Sequence, residues 1–179
     1  MLRLFAALTP PDDVADRLVA MQRGVGGARW SPRENLHITL CFCGDVDERT
    51  AEELDGELAA ISARSFDLAL KGAGFFGKTD PHALYVGMAN DAPLRDLANA
   101  CERAARRAGV KTDGRKYTPH LTLAYLSHAE IGDVIAFTQA HALFESRAWR
   151  VDAFGLFSSH IRKSASSLYR LEADYALIV

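Results

Sequence analysis

The sequence predicts an α+β fold, mostly antiparallel, in which a duplicated unit forms a bilobal body of pseudo-two-fold symmetry around a central cleft, with helices packed on the outside. Three observations predict it. Short apolar runs of strand length alternate with amphipathic helical stripes, and turn chemistry between strands suits antiparallel returns. In addition, one tetrapeptide pattern occurs twice, nearly half the chain apart: His37-Ile38-Thr39-Leu40 and His120-Leu121-Thr122-Leu123. A chain of 179 residues suits about one domain. No linker rich in Pro or Ser divides it, so residues 1–179 are read as a single bilobal domain.

Taken in order, Arg3 to Leu8 reads as a buried strand. Thr9-Pro10-Pro11-Asp12 then reads as a helix start with Thr as cap and acids near the positive end of the dipole. Val14, Leu18 and Met21 form the apolar stripe of that helix. Leu36 to Phe42 reads as a strand closed by Gly44, and Asp47 to Ser62 as a helix with Leu54, Leu58 and Ile61 inward. Phe66 to Leu70, continuing to Phe76, forms a strand region, and Gly77-Lys78-Thr79-Asp80-Pro81 turns it back into Ala83 to Met88. The order then recurs. Pro93 to Ala108 is a helix stopped by Gly109, with Leu94, Leu97, Cys101, Ala105 and Ala108 inward. His120 to Leu126 is a strand, and Glu130 to Ala142 a helix with Ile131, Val134, Ile135 and Thr138 as its stripe. Arg150 to Phe157 and Leu168 to Leu177 close the chain as β-rich stretches.

Composition excludes several classes. The chain is 49% hydrophobic and 25% charged, which is ordinary for a globular protein and unlike a disordered or fibrous one. Lys and Arg total 21 against 23 Asp and Glu, a formal net charge of −2. That balance argues against a protein that coats long nucleic acid, yet leaves room for a pocket taking one or two phosphates. No apolar run is long enough for a membrane-spanning helix. The apolar start, Met1 to Leu8, carries only Arg3 as a basic residue and leads into no signal-peptidase pattern. The three cysteines, Cys41, Cys43 and Cys101, have no metal-ligand spacing, and the first two are poorly placed for a bridge. A cytoplasmic monomer is the expectation.

The repeated tetrapeptide carries the chemistry. In a strand, side chains alternate, so His37 and Thr39 share one face while Ile38 and Leu40 anchor the other. The same alternation applies to His120 and Thr122 against Leu121 and Leu123. One His-x-Thr on a strand is ordinary; its recurrence at matching places in two halves is not. Related by a pseudo-two-fold, both pairs face one cleft. Two imidazoles can then serve as acid and base, because the unperturbed pKa lies near 6.5. Two hydroxyls can donate to the oxygens of a phosphate ester, whose charge grows in the transition state. No metal or other cofactor is expected: a zinc site on His37 and His120 needs a further ligand, and the strands offer Thr instead.

With these residues the sequence resembles the two-histidine (2H) phosphoesterases, and most closely the RNA 2′,3′-cyclic phosphodiesterases, also called 2′-5′ RNA ligases. Leu4-Phe5-Ala6-Ala7 with Pro10 resembles the family's opening strand, and Trp30 to Leu40 with Phe42 and Gly44 its first motif segment. Leu84-Tyr85-Val86-Gly87 resembles the central strand, Arg115 to Ala124 the second motif, and Ser158 to Leu171 the closing hairpin. The resemblance implies hydrolysis of terminal 2′,3′-cyclic phosphates on RNA ends or cyclic nucleotides to 2′-phosphates, without metal. It implies that His37 is the proton donor to the departing 3′ oxygen, that His120 is the proton acceptor from water, and that Thr39 and Thr122 hold the phosphate oxygens. ATP-independent joining of RNA ends is the same reaction reversed in the same cleft.

One position departs from the pattern: where the family commonly has Arg after His-Leu-Thr-Leu-Ala, this chain has Tyr125. A phenol can stack or donate one hydrogen bond but brings no charge. Tyr125, Arg115 and Arg162 are therefore candidate substrate-binding residues, with Lys116 a further source of charge. The missing Arg also motivates the alternative reading, a non-catalytic module that binds a nucleotide or RNA end in the same cleft. Trp30, Phe42, Tyr117 and Tyr125 are candidate stacking residues, with core packing the default for all four and firmest for Phe42, which shares parity with Ile38 and Leu40. Cys41 and Cys43, on the parity of His37, are read as buried fillers. His82, His128, His141 and His160 are read as surface residues.

Overall fold

The computed structural model describes residues 1–112, 116–160 and 167–179. The chain runs β1 (Leu2–Leu8), α1 (Asp12–Met21), β2 (Ala28–Trp30), a 3₁₀ turn (Arg33–Asn35), β3 (Ile38–Val46) and α2 (Glu48–Ala59). It continues as β4 (Phe66–Leu68), β5 (Leu70–Phe76), β6 (Ala83–Met88), α3 (Ala92–Arg107), β7 (Leu121–Leu126) and α4 (Ile131–Ala140). The last strands are β8 (Trp149–Val151), β9 (Ala153–His160) and β10 (Leu168–Ala176). The expected α+β architecture is present: an antiparallel sheet in the order β10-β9-β1-β3-β7-β6-β5, with β2 added on β7, and helices outside. A small separate ribbon pairs β4 with β8, so the stretch from Phe66 to Phe76 is two strands in different sheets.

The centre of the sheet positions the site. β3 and β7 meet antiparallel through the single pair Ile38↔Leu121. β1 flanks β3 on one side, and β6 flanks β7 on the other, so the two halves are arranged alike about this seam. Ile38, Leu121 and Leu123 are fully buried, which makes the seam part of the main core. Helix α3 covers β3 with Leu94, Leu97, Cys101, Ala104 and Ala105, and α2 packs on α3 through Leu54 and Leu58. Asp47 caps α2 by accepting from the Thr50 backbone N–H at 2.8 Å.

Four local readings differ from the sequence expectation. Helix α1 starts after Pro11 rather than at a Thr9 cap, because each proline forces the residue before it into an extended conformation. Gly44 does not close β3. Its φ of +70° lets the strand bulge, so that Leu4 pairs with Gly44 and Phe5 with Phe42, leaving Cys43 unmatched. A second irregularity, between Ala6↔Cys41 and Ala7↔Thr39, leaves Leu40 unmatched. The parity of the strand inverts there. Cys41 and Cys43 turn into the core beside Leu40, while Phe42 turns out and is half exposed. Finally, α4 buries Val134 and Phe137 and leaves Ile131 and Ile135 exposed, because Phe137 packs on Trp30, ring centroids 5.7 Å apart, and sets the helix rotation.

Candidate active site

The seam pair fixes where the motif side chains go. With Ile38 opposite Leu121 in an antiparallel register, His37 lies across from Thr122 and Thr39 across from His120. Ile38 and Leu121 point into the core, so the four polar residues project from the other face of the sheet. The residues bordering the two adjoining cavities follow this pairing: His37 and Thr122 line one, and Thr39, His120 and Thr122 line the other.

Each imidazole is held in the same way. His37 Nδ1 donates to the Asn35 carbonyl at 2.7 Å, and His120 Nδ1 donates to the Thr118 carbonyl at 2.7 Å, two residues upstream in both cases. A carbonyl only accepts, so Nδ1 carries its hydrogen in either protonation state and Nε2 is left to exchange a proton. Neither carbonyl is loose. Asn35 is tied through its side-chain amide to the Ser167 carbonyl at 2.7 Å. The segment carrying Thr118 is tied through the Tyr117 hydroxyl, which donates to the Thr39 carbonyl at 2.8 Å, and through Arg95, whose guanidinium donates to the Tyr117 carbonyl at 2.6 Å. The sequence reading missed these tethers; the only signal for them was the common two-residue offset before each histidine.

Two aromatic rings flank each histidine. His37 lies against Phe5 and Tyr169, at centroid distances of 5.0 and 5.2 Å, and His120 against Phe76 and Tyr85, at 4.9 and 5.9 Å. Such packing fixes ring orientation and removes water from the apolar edges. Burial pulls the His37 pKa below the ordinary imidazole value; the Asn35 carbonyl opposes this, and the charge of His120 adds to it.

The cavities on either side of the dyads differ. On the His120 side a cavity of ≈ 620 Å³ is bordered by Phe42, Phe76, His82, Glu102, Lys116 and Tyr125. That volume is in the range of small-molecule sites. On the His37 side a much smaller recess is bordered by Arg29, Trp30, Ser31, Asn35, Tyr125 and Tyr169. Tyr125 therefore borders both. Of the other candidate binding residues, Lys116 is in place, whereas Arg115 and Arg162 lie outside the described residues. Phe42, expected in the core, is at the site instead, and His82 borders the cavity although exposed. Cys41, Cys43 and Cys101 are buried; the hydrogen bond with Cys41, and then burial, hold the Cys43 thiol well above the usual range, and burial does the same to Cys101, as suits core fillers.

The Tyr117 tether gives a direct test. Tyr117→Phe is expected to cost about 1 kcal/mol in urea unfolding, the ordinary worth of one hydrogen bond. An unchanged midpoint shows that the link to the Thr39 carbonyl contributes nothing.

A family model described as the 2′-5′ RNA ligase superfamily matches residues 10–161. The chain belongs to that superfamily. A Bacillus subtilis relative named RNA 2′,3′-cyclic phosphodiesterase is 31% identical over 145 residues, covering 76% of this chain and 74% of that protein. An Archaeoglobus fulgidus protein of the same name is 26% identical over 140 residues, 75% of this chain and 79% of that one. With a Geobacillus stearothermophilus protein of that name the match is 38% over 98 residues, but it spans only 31% of that relative's length. Among solved structures, Escherichia coli LigT complexed with 3′-AMP superposes with a TM-score of 0.80 at 23% identity over 98% of both chains, a likeness of fold. Superfamily membership makes the chain a two-histidine phosphoesterase, and no helix among its described residues is long and apolar enough to cross a membrane.

Proposed function

We propose that this superfamily member hydrolyses terminal 2′,3′-cyclic phosphates on RNA ends or nucleotides to 2′-phosphates, as the names of its relatives say of them, and that it does so without a metal ion. The observation that carries this reading is the crossed register at the seam, with His37 facing Thr122 and Thr39 facing His120. The whole chain acts as one unit in this reading, since each half supplies one imidazole and one hydroxyl.

A cyclic phosphate seated between the strands meets both ring Nε2 atoms. His120 takes a proton from water as its oxygen attacks phosphorus. The P–O3′ bond breaks, and His37 delivers its Nε2 proton to the departing O3′. One water is consumed, and a 2′-phosphate and a free 3′-hydroxyl result. Thr39 and Thr122 donate to the nonbridging oxygens, where charge grows. The two Nδ1–H···O=C bonds keep both rings oriented through the proton transfers. Solvent then returns the proton from His120 to His37. Tyr125, bordering both cavities, contacts the nucleotide.

The test is turnover of adenosine 2′,3′-cyclic phosphate in excess EDTA, with the 2′-phosphate identified as product. Saturable binding without product over long incubation overturns the reading in favour of a binding module.

A pH profile follows from the direction of the His37 shift. The donor must be protonated, and burial lowers its pKa. In the free protein the protonated form is therefore lost as pH rises through a value below about 6.5. The alkaline limb of kcat/KM is expected below that value. The limb of kcat should lie higher, because a bound phosphate anion favours the imidazolium. An alkaline limb of kcat/KM well above pH 7 removes His37 from the donor role.

A further inference from the structure

The two histidine tethers are built differently. The Asn35 carbonyl that holds His37 belongs to a 3₁₀ turn, closed by the Asn35 N–H donating to the Pro32 carbonyl at 2.9 Å and the Leu36 N–H to the Arg33 carbonyl at 3.2 Å. The Thr118 carbonyl that holds His120 has no such element behind it. Residues 116–120 belong to no helix or strand, and Thr118 is exposed. Its orientation is set from outside the segment.

Helix α3 sets it. Asp91 stands at the N-terminal cap position of α3, yet its side chain caps no backbone N–H. The carboxylate accepts from Arg95 Nη2 at 2.6 Å instead, and Arg95 Nη1 donates to the Tyr117 carbonyl at 2.6 Å. Both bonds are charge-assisted, and they use two arms of one rigid planar fork. The Tyr117 carbonyl lies in the peptide plane that joins Tyr117 to Thr118. Pro119 follows; it is buried, its φ is locked, and it confines Thr118 to extended conformations. A grip on the Tyr117 carbonyl is thereby passed through two stiff residues to the Thr118 carbonyl, which accepts from His120 Nδ1 at 2.7 Å. Arg95 and Asp91 border neither of the two adjoining cavities, so neither side chain is placed to touch substrate.

We propose that Arg95, held by Asp91, is a positioning residue for His120: it orients the general base through Tyr117, Thr118 and Pro119, and so acts on turnover and not on substrate binding. The inference rests on the activity proposed above and adds a residue to it. His37 has no equivalent charged clamp on the carbonyl it uses, so loss of Arg95 strikes one imidazole and spares the other.

The experiment combines kinetics on adenosine 2′,3′-cyclic phosphate with proton NMR of the two imidazole Nδ1–H groups in the free protein. Arg95→Gln should lower kcat by about ten- to a hundred-fold, the range for a small misplacement of a catalytic group, with KM within about two-fold of the parent. The His120 Nδ1–H signal should be lost to faster exchange with water, while that of His37 persists. Asp91→Asn, which keeps the guanidinium but loosens it, should fall between the parent and Arg95→Gln. Arg95→Lys, which can donate to the carbonyl without the fork, should recover part of kcat. On the His120→Ala background, Arg95→Gln should change the residual rate by less than about two-fold, because the group it positions is gone. An unchanged kcat in Arg95→Gln, a loss carried by KM, an equal loss on the His120→Ala background, or equal loss of both Nδ1–H signals overturns the positioning role. A parent that turns over no cyclic phosphate overturns the activity instead, and the NMR comparison then decides the role of Arg95 by itself.

Discussion

His120→Ala is expected to lower kcat on a 2′,3′-cyclic phosphate by about 10²–10⁴-fold, the usual range for loss of a positioned acid or base. His37→Ala should do the same. The double variant should be little worse than either single one, because the two rings act in one concerted exchange. Neither change touches a fully buried core side chain, and the strands on which both residues sit are anchored by Ile38, Leu121 and Leu123. Thermal unfolding of the variants should therefore remain cooperative, with a midpoint near that of the parent. Product formation at the parent rate in either variant removes that imidazole from the reaction.

Leu121→Ala has the largest expected effect on stability. Leu121 is fully buried and is the partner of Ile38 in the pair that joins β3 to β7. Deleting a buried leucine side chain costs about 2–5 kcal/mol through lost transfer energy and the cavity left behind. For a chain of this length that corresponds to a drop in Tm of roughly 2–4 °C per kcal/mol. Activity should fall as well, since the same pair sets the register of the four polar residues. A midpoint within a degree of the parent means that the seam repacks, and that the register is held elsewhere.

Much of this was legible in the chain because the signals were periodic. The stripe of Val14, Leu18 and Met21 is buried, as are Leu94, Leu97, Cys101 and Ala105 of α3 and Ala108 just after it. The Gly77–Pro81 turn does return β5 into β6. The two His-x-Thr dyads were readable because alternation requires only a few regular residues, and each dyad lies before any irregularity. What failed was alternation carried through a bulge. Counting from Ile38 assigns Phe42 to the core, and the unmatched Leu40 reverses the count. A one-residue slip flips the side chains that follow it, and no glycine or proline marks the one at Leu40; Gly44 marks only the later bulge. Arg29 was unreadable for another reason. Its place at the site depends on β2 lying against β7, which requires Gly27: at φ +72°, any Cβ there would stand 2.2 Å from the Ser127 carbonyl oxygen. Nothing in the local pattern announces that approach.

The narrow seam has a mechanical consequence. Two sheet halves that share one residue pair at their centre are coupled only weakly by backbone there. A dianion lodged between the facing imidazoles and hydroxyls would work as a rivet, bonding to both halves at once. Inorganic phosphate or sulfate should therefore raise the melting temperature as its concentration passes the dissociation constant, and the amide protons of Ile38 and Leu121 should be among those whose exchange slows most.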